Sequence, residues 1–216
     1  EQSLMVGISR RDFNLAVLGT LASGTVLAQT KKYGPGASDS EILLGQTQPY
    51  SGAASAYGTI GRAESAYFDM INARGGINGR KVRLISLDDG YAPPRTVEQV
   101  RRLVESDEVM AIFGLLGTPG NSAVARYLNS RKVPQLLISS GASKWLDTKT
   151  YPMTVTALPT YDTEAAIFTK YILAQKPDAR IGVLYQNDDL GRDYLKGVHR
   201  ALGDARGKHL THELSY

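Results

Sequence analysis

The chain has 216 residues, 42% of them hydrophobic and 21% charged, enough apolar content to bury a core and a length that suits one large domain or two small lobes. Its 25 Lys+Arg against 21 Asp+Glu leave a formal charge of +4, spread along the chain with no basic block, so nucleic acid is not an expected partner. Cysteine is absent from the sequence, which excludes disulfides, thiol chemistry, Cys-based zinc sites and a lipid-modified cysteine.

In chain order, the first feature is "SRRDFNLAVLGTLASGTVLAQT" (9–30): paired arginines, a short apolar stretch, then small residues ending at Ala28. It resembles a twin-arginine export signal, matching at Ser9, Arg10, Arg11 and Phe13 and departing at Asn14. The apolar stretch is too short to span a bilayer, so a cleaved signal (1–28) is expected rather than an anchor, with residues 1–4 upstream of the true start at Met5. A polar linker (29–40) follows.

Beyond it, short apolar runs alternate with helical patterns. "ILLGQT" (42–47) reads as a strand and 60–74 as a helix whose Ala63, Ala66, Tyr67, Met70 and Ile71 share an apolar face; "GGINGRK" (75–81) ends it. "VRLISL" (82–87) is a strand and "PPRTVEQVRRLVES" (93–106) a helix opened by proline. Then come the strand "VMAIFG" (109–114), a helix from about 121 to 131 and the strand "PQLLIS" (134–139). Strands near 153–157, 181–185 and 210–214, with helices near 162–175 and 191–205, complete an α/β pattern that predicts a doubly wound parallel sheet.

In such sheets ligands sit beyond the carboxyl ends of the strands. Three loops rich in small and hydroxyl residues fall there: "QPYSGAASAY" (48–57), "LGTPGNS" (116–122) and "SSGAS" (139–143). Each leads toward a helix N-terminus able to hold an anion. A phosphate loop is disfavoured because "GTPGNS" lacks the glycine-lysine-Ser/Thr ending and no G-x-G-x-x-G follows the first strand. A serine triad is disfavoured because His199, His209 and His212 all lie far in sequence from these loops. His209 and His212 have metal-pair spacing but no supporting ligands, and read as a surface pair on the last strand. Asp88-Asp89 read as turn caps rather than an acid/base pair, and Asp188-Asp189 as a helix N-cap or a ligand loop. Tyr50, Tyr57 and Tyr161 are equally open to a pocket wall, the core or plain surface, while Trp145 reads as a packing anchor.

The runs "ILLGQTQPYSGAASAYG", "INARGGINGRKV" followed by "DDG", "IFGLLGTPGNSAVARYLNSRKVPQLLISSGASKWLD" and "RIGVLYQNDDLGRDYLKGV" resemble the substrate-binding proteins of branched-chain amino acid (leucine/isoleucine/valine-type) ABC transporters, type I periplasmic binding proteins. That resemblance implies a clamshell with lobe I at 41–155 and an incomplete lobe II at 156–216, the family's further strands and helices lying beyond Tyr216. It implies no catalysis, no cofactor and no metal. A monomer would capture a carboxylate-bearing solute (amino acid, amide, or aromatic or aliphatic acid) in the periplasm and deliver it to an ABC permease. Residues implied at the ligand are Tyr50 and Ser51; Gly117, Thr118 and Pro119; Ser140, Gly141, Ala142 and Ser143; and Tyr161 and Leu190. Ala142 replaces a threonine common in amino acid binders, and Leu190 an aromatic residue, which points toward other carboxylates. A sensory domain of the same fold, or an enzyme on a doubly wound sheet, are the competing readings; no transmembrane helix follows the signal and no helix-turn-helix is present.

Overall fold

The computed structural model describes residues 33–216, which form one compact unit. The export-signal residues Arg10, Arg11 and Ala28 lie outside the described residues. Seven strands alternate with helices: β1 (Glu41–Gln48), α1 (Gly58–Ala73), β2 (Lys81–Asp88), α2 (Pro93–Glu105), β3 (Ala111–Phe113), α3 (Thr118–Arg131), β4 (Gln135–Ile138) and β5 (Thr154–Thr156), then α4 (Tyr161–Gln175), β6 (Ile181–Tyr185), α5 (Asp189–Leu202), the one-turn α6 (Arg206–His209) and β7 (Leu210–Ser215). The first five strands make a sheet in the order β2-β1-β3-β4-β5, and β6-β7 make a second. Every pairing within these sheets is parallel.

The first sheet is covered on both faces, as parallel sheets require. Leu43 of β1 and Ile112 of β3 meet Val100 and Leu103 of α2 and Val124 and Leu128 of α3 on one face. Leu44 and Ala111, one residue along each strand, face the other side with Phe68 of α1, as the period of two demands.

The face of α1 turned inward is not the expected one. Ala63, Ala66, Tyr67 and Met70 point outward, Ile71 is half-buried, and the inward positions are Gly61, Glu64 and Phe68. The carboxyl end of β1 explains it: Gln46, Thr47 and Gln48 are buried polar residues and need a polar cover. Gln46 donates to Glu64 and to the Phe113 carbonyl, Ser86 donates to Gln46, and the Tyr50 and Ser86 hydroxyls lie 2.5 Å apart. Gly61 permits this approach, since a Cβ there would sit 2.3 Å from the Tyr50 hydroxyl.

Helix α3 begins at Thr118, ahead of the expected 121, because Pro119 is tolerated in a first turn. Helix α5 starts at Asp189 on an Asp188 N-cap that accepts from the Leu190 and Gly191 N–H groups. It stops at Leu202, short of the expected 205, where Gly203 takes φ +50°. Helices α4 and α5 cover the inner face of β6-β7 through Ala165, Val198, Leu202, Ile181 and Val183. Across the other face Leu184 and Leu214, paired in register, are 71% and 59% exposed. No helix among the described residues is long and apolar enough to cross a membrane.

Candidate functional site

Because β1, β3 and β4 are neighbours and parallel, their three following loops meet at one edge. A cavity of about 590 Å³ opens there. Ala53, Ala54, Tyr57 and Ile60 from the first loop and α1 line it, as do Tyr91 after β2, Leu116 and Gly117 after β3 and Ser139 after β4. Leu158, Tyr161, Gln186, Leu190 and Tyr216 complete the wall from the side of the second sheet. The lining is mainly aliphatic and aromatic, with a few polar groups, and the volume falls in the range of small-molecule sites.

The two carboxylates that end β2 build the first loop's anchor. Asp88 accepts from the Tyr50, Ser51 and Gly90 N–H groups, the Ser51 hydroxyl and Arg95. Desolvation acts to raise its pKa, but these donors outweigh it and hold the carboxyl at about 2. Buried Asp89 accepts from Thr47, Thr96 and the Tyr91 N–H. Ser51 and Tyr50 are thus engaged in holding the loop, and neither is part of the cavity wall.

The second and third loops are tied to each other. The Thr118 and Ser140 hydroxyls lie 2.8 Å apart, both buried, and the Trp145 indole N–H donates to Ser140 at 2.9 Å. Ala142 is packed with Ala125, Ile138, Trp145 and Tyr161. The Gly141 carbonyl accepts the Tyr161 N–H, and a Cβ on Gly141 would meet the Pro159 carbonyl at 2.3 Å. Ser143 gives its N–H and hydroxyl to the two oxygens of Asp193, at 2.6 and 2.8 Å. Lys144 bridges Ser122 and Asp189, and its ammonium holds the Asp189 carboxyl below the usual range. Pro119, in the first turn of α3, is not in the cavity wall. Of the residues the resemblance implies at the ligand, Gly117, Tyr161 and Leu190 share the cavity wall, and Tyr57, one of the three tyrosines left open from sequence, stands there with them.

Tyr91 was not singled out from sequence. It adopts φ +62° after the Asp89 turn and lays its ring on Gly117, whose own φ is +97°; a Cβ on Gly117 would meet that ring at 2.5 Å. Burial raises the Tyr91 pKa, while a hydrogen bond with Gln186 works in the opposite direction. The Tyr161 and Tyr194 rings are tilted together at 5.5 Å, and burial, then the contact to Glu164, raises the Tyr194 hydroxyl.

The histidines stay apart from the cavity. His209 is buried in α6, its Nδ1 2.8 Å from the Ala179 carbonyl, which corrects its placement as a surface residue of the last strand; only His212 is on β7. His199 contacts Glu213. Among the described residues no group of three or more His, Cys, Asp or Glu is placed to hold a metal ion.

A family model described as "Periplasmic binding protein" matches residues 41–215, which includes both sheets and every cavity residue but Tyr216. The chain belongs to the periplasmic binding protein family. This is a family of binding proteins and not of enzymes. A curated relative, an "Amino acid binding protein" of Pseudomonas aeruginosa, is 36% identical over 75 residues, 34% of this chain and 20% of the relative. A fatty acid ABC transporter substrate-binding protein from Thermomonospora curvata superposes with TM-score 0.71 at 26% identity, covering 86% of this chain and 46% of that one. A possible leucine/isoleucine/valine-binding protein from Rhodopirellula baltica gives TM-score 0.70 at 29% identity, covering 82% and 48%. The fold is the type I periplasmic-binding-protein fold, and the chain spans about half the length of these solved relatives.

Proposed function

We propose that this periplasmic binding protein is the exported solute-binding component of an ABC importer, a monomer that captures a small carboxylate-bearing solute with an apolar body and presents it to a membrane permease. The tyrosine-lined cavity at the strand ends carries the reading. Burying an apolar solute surface there gains roughly 25 cal/mol per Å² removed from water. Tyr57, Tyr91 and Tyr161 supply ring surface with polar tips, suited to an aromatic or aliphatic acid. The carboxylate belongs at Ser139 and Gly117, where α3 begins and its dipole favours negative charge. In this reading Thr118 and Ser140 position the loops instead of donating to the solute, because their hydroxyls already meet. Division into lobe I (41–155) and lobe II (156–216), the linker at 29–40 and twin-arginine export through Arg10, Arg11 and Ala28 belong to the same proposal.

A thermal-shift panel of benzoate, hexanoate, leucine and benzamide tests it. A carboxylate at 100 times its dissociation constant should stabilise the protein by about 2.7 kcal/mol. Flat traces for both apolar acids would refute the solute class.

A further inference from the structure

The loop after β4 carries an unexpected occupant. Both oxygens of Asp193 are held by Ser143, one by the backbone N–H at 2.6 Å and one by the hydroxyl at 2.8 Å. Asp189 lies one helical turn earlier on the same face of α5 and meets the next residue of the loop, with Lys144 Nζ at 2.7 Å from Asp189 Oδ2 and 2.6 Å from the Ser122 hydroxyl. Two carboxylates four residues apart thus engage two consecutive residues of the loop. Leu190 and Tyr194, on the adjoining stripe, pack on the cluster of Ala125, Ile138, Ala142, Trp145 and Tyr161. Charge-assisted bonds that use both oxygens of a carboxylate fix orientation as well as proximity.

We propose that these two carboxylates latch the start of α5 to the loop after β4, and that the latch positions Leu190 and Gln186 as a wall of the cavity, making Asp193 and Lys144 positioning residues for capture. The proposal rests on the binding reading only for what the wall encloses; the latch itself is a contact within this chain. It also gives Ser143 a role distinct from solute binding, since its N–H and hydroxyl are taken by Asp193 while the latch is made.

The only tryptophan in the sequence reports on it. Trp145 is 3% exposed, and its cluster is covered by Leu190 and Tyr194. Losing one charge-assisted bond should raise the undocked fraction of α5 about tenfold. In the whole chain, Asp193→Asn and Asp193→Ala should shift Trp145 emission to the red and increase its quenching by acrylamide, with far-UV circular dichroism unchanged and Asp193→Glu restoring part of the shielding. Emission and quenching equal to the parent in folded Asp193→Asn protein would overturn the latch. Should those variants not fold, Ser143→Cys/Asp193→Cys in this cysteine-free chain, treated with a short thiol-specific crosslinker, should give one intramolecular bridge; a folded but unbridged product would overturn it equally. Benzoate titration of the parent and Asp193→Asn, read on Trp145, separates the two ideas. Absence of benzoate binding to the parent counts against the solute class and leaves the latch readout standing, whereas equal affinity in parent and variant overturns the positioning role.

Discussion

The two sheets of this protein are built from the same βαβ unit and are finished differently. In the first, β1 is flanked by β2 and β3, helices lie on both faces, and Ile112, Leu115, Leu103 and Leu128 are wholly buried. In the second, among the described residues, β6 has β7 alone as its neighbour, one face meets α4 and α5, and the opposite face leaves Leu184 and Leu214 open, while Ile167, Phe168 and Tyr171 of α4 are also exposed. A two-stranded ribbon is marginal in water on its own. The difference teaches that the stability of the site resides in the first sheet, and that the second contributes the start of α5 by leaning it on the loops of the first.

The largest expected effect lies in the first core. Leu103→Ala or Ile112→Ala should cost about 2–5 kcal/mol in chemical denaturation, whereas Leu184→Ala on the open face should change stability by less than about 0.5 kcal/mol. Equal losses would erase the contrast between the sheets. Gly117→Ala should cost about 2 kcal/mol, since a left-handed backbone and the Tyr91 ring both oppose a Cβ, and should reduce solute binding with it. Thr118→Val should cost about 1 kcal/mol, the worth of its buried hydroxyl contact to Ser140, measurable as a shift in denaturation midpoint.

Acid adds a directional test. Because the Asp88 carboxyl is held at about 2, below its ordinary value, the stability it contributes is present above the unfolded-state pKa and is lost as pH falls through about 2. Asp88→Asn should therefore reduce the slope of the acid limb of the stability profile between about pH 4 and pH 2, where the Asp88 carboxyl of the unfolded chain takes up a proton that the folded one resists. The smallest thermodynamic effect is expected from Leu184→Lys, which should leave the denaturation midpoint nearly unchanged and lower any self-association seen in sedimentation velocity, because it places a charge on the open apolar face that Leu184 shares with Leu214.

Most elements were legible because their signals are local. Apolar runs gave the strands of both sheets, Pro93 and Asp188 marked helix starts, and the parallel order placed three loops at one edge. The orientation of α1 was not legible: its inner face answers Gln46 and Gln48, buried polar residues whose demand is set by tertiary packing and not by helical periodicity. Loop hydroxyls show a similar limit. Sequence locates Ser51, Thr118, Ser140 and Ser143 in the right loops, but whether each is free for a solute depends on Asp88, Trp145 and Asp193, residues distant in the chain. Tyr91 escaped notice because its ring reaches the cavity through a positive φ that nothing in "DDGY" announces.

The most direct test of the central claim is calorimetric titration of the protein with benzoate and, in parallel, with benzamide, which matches its ring and lacks its charge. The account predicts saturable heat with benzoate, little or none with benzamide, and loss of the benzoate signal in Tyr91→Ala protein that remains folded. Equal binding of acid and amide, or benzoate binding that survives Tyr91→Ala undiminished, would contradict it.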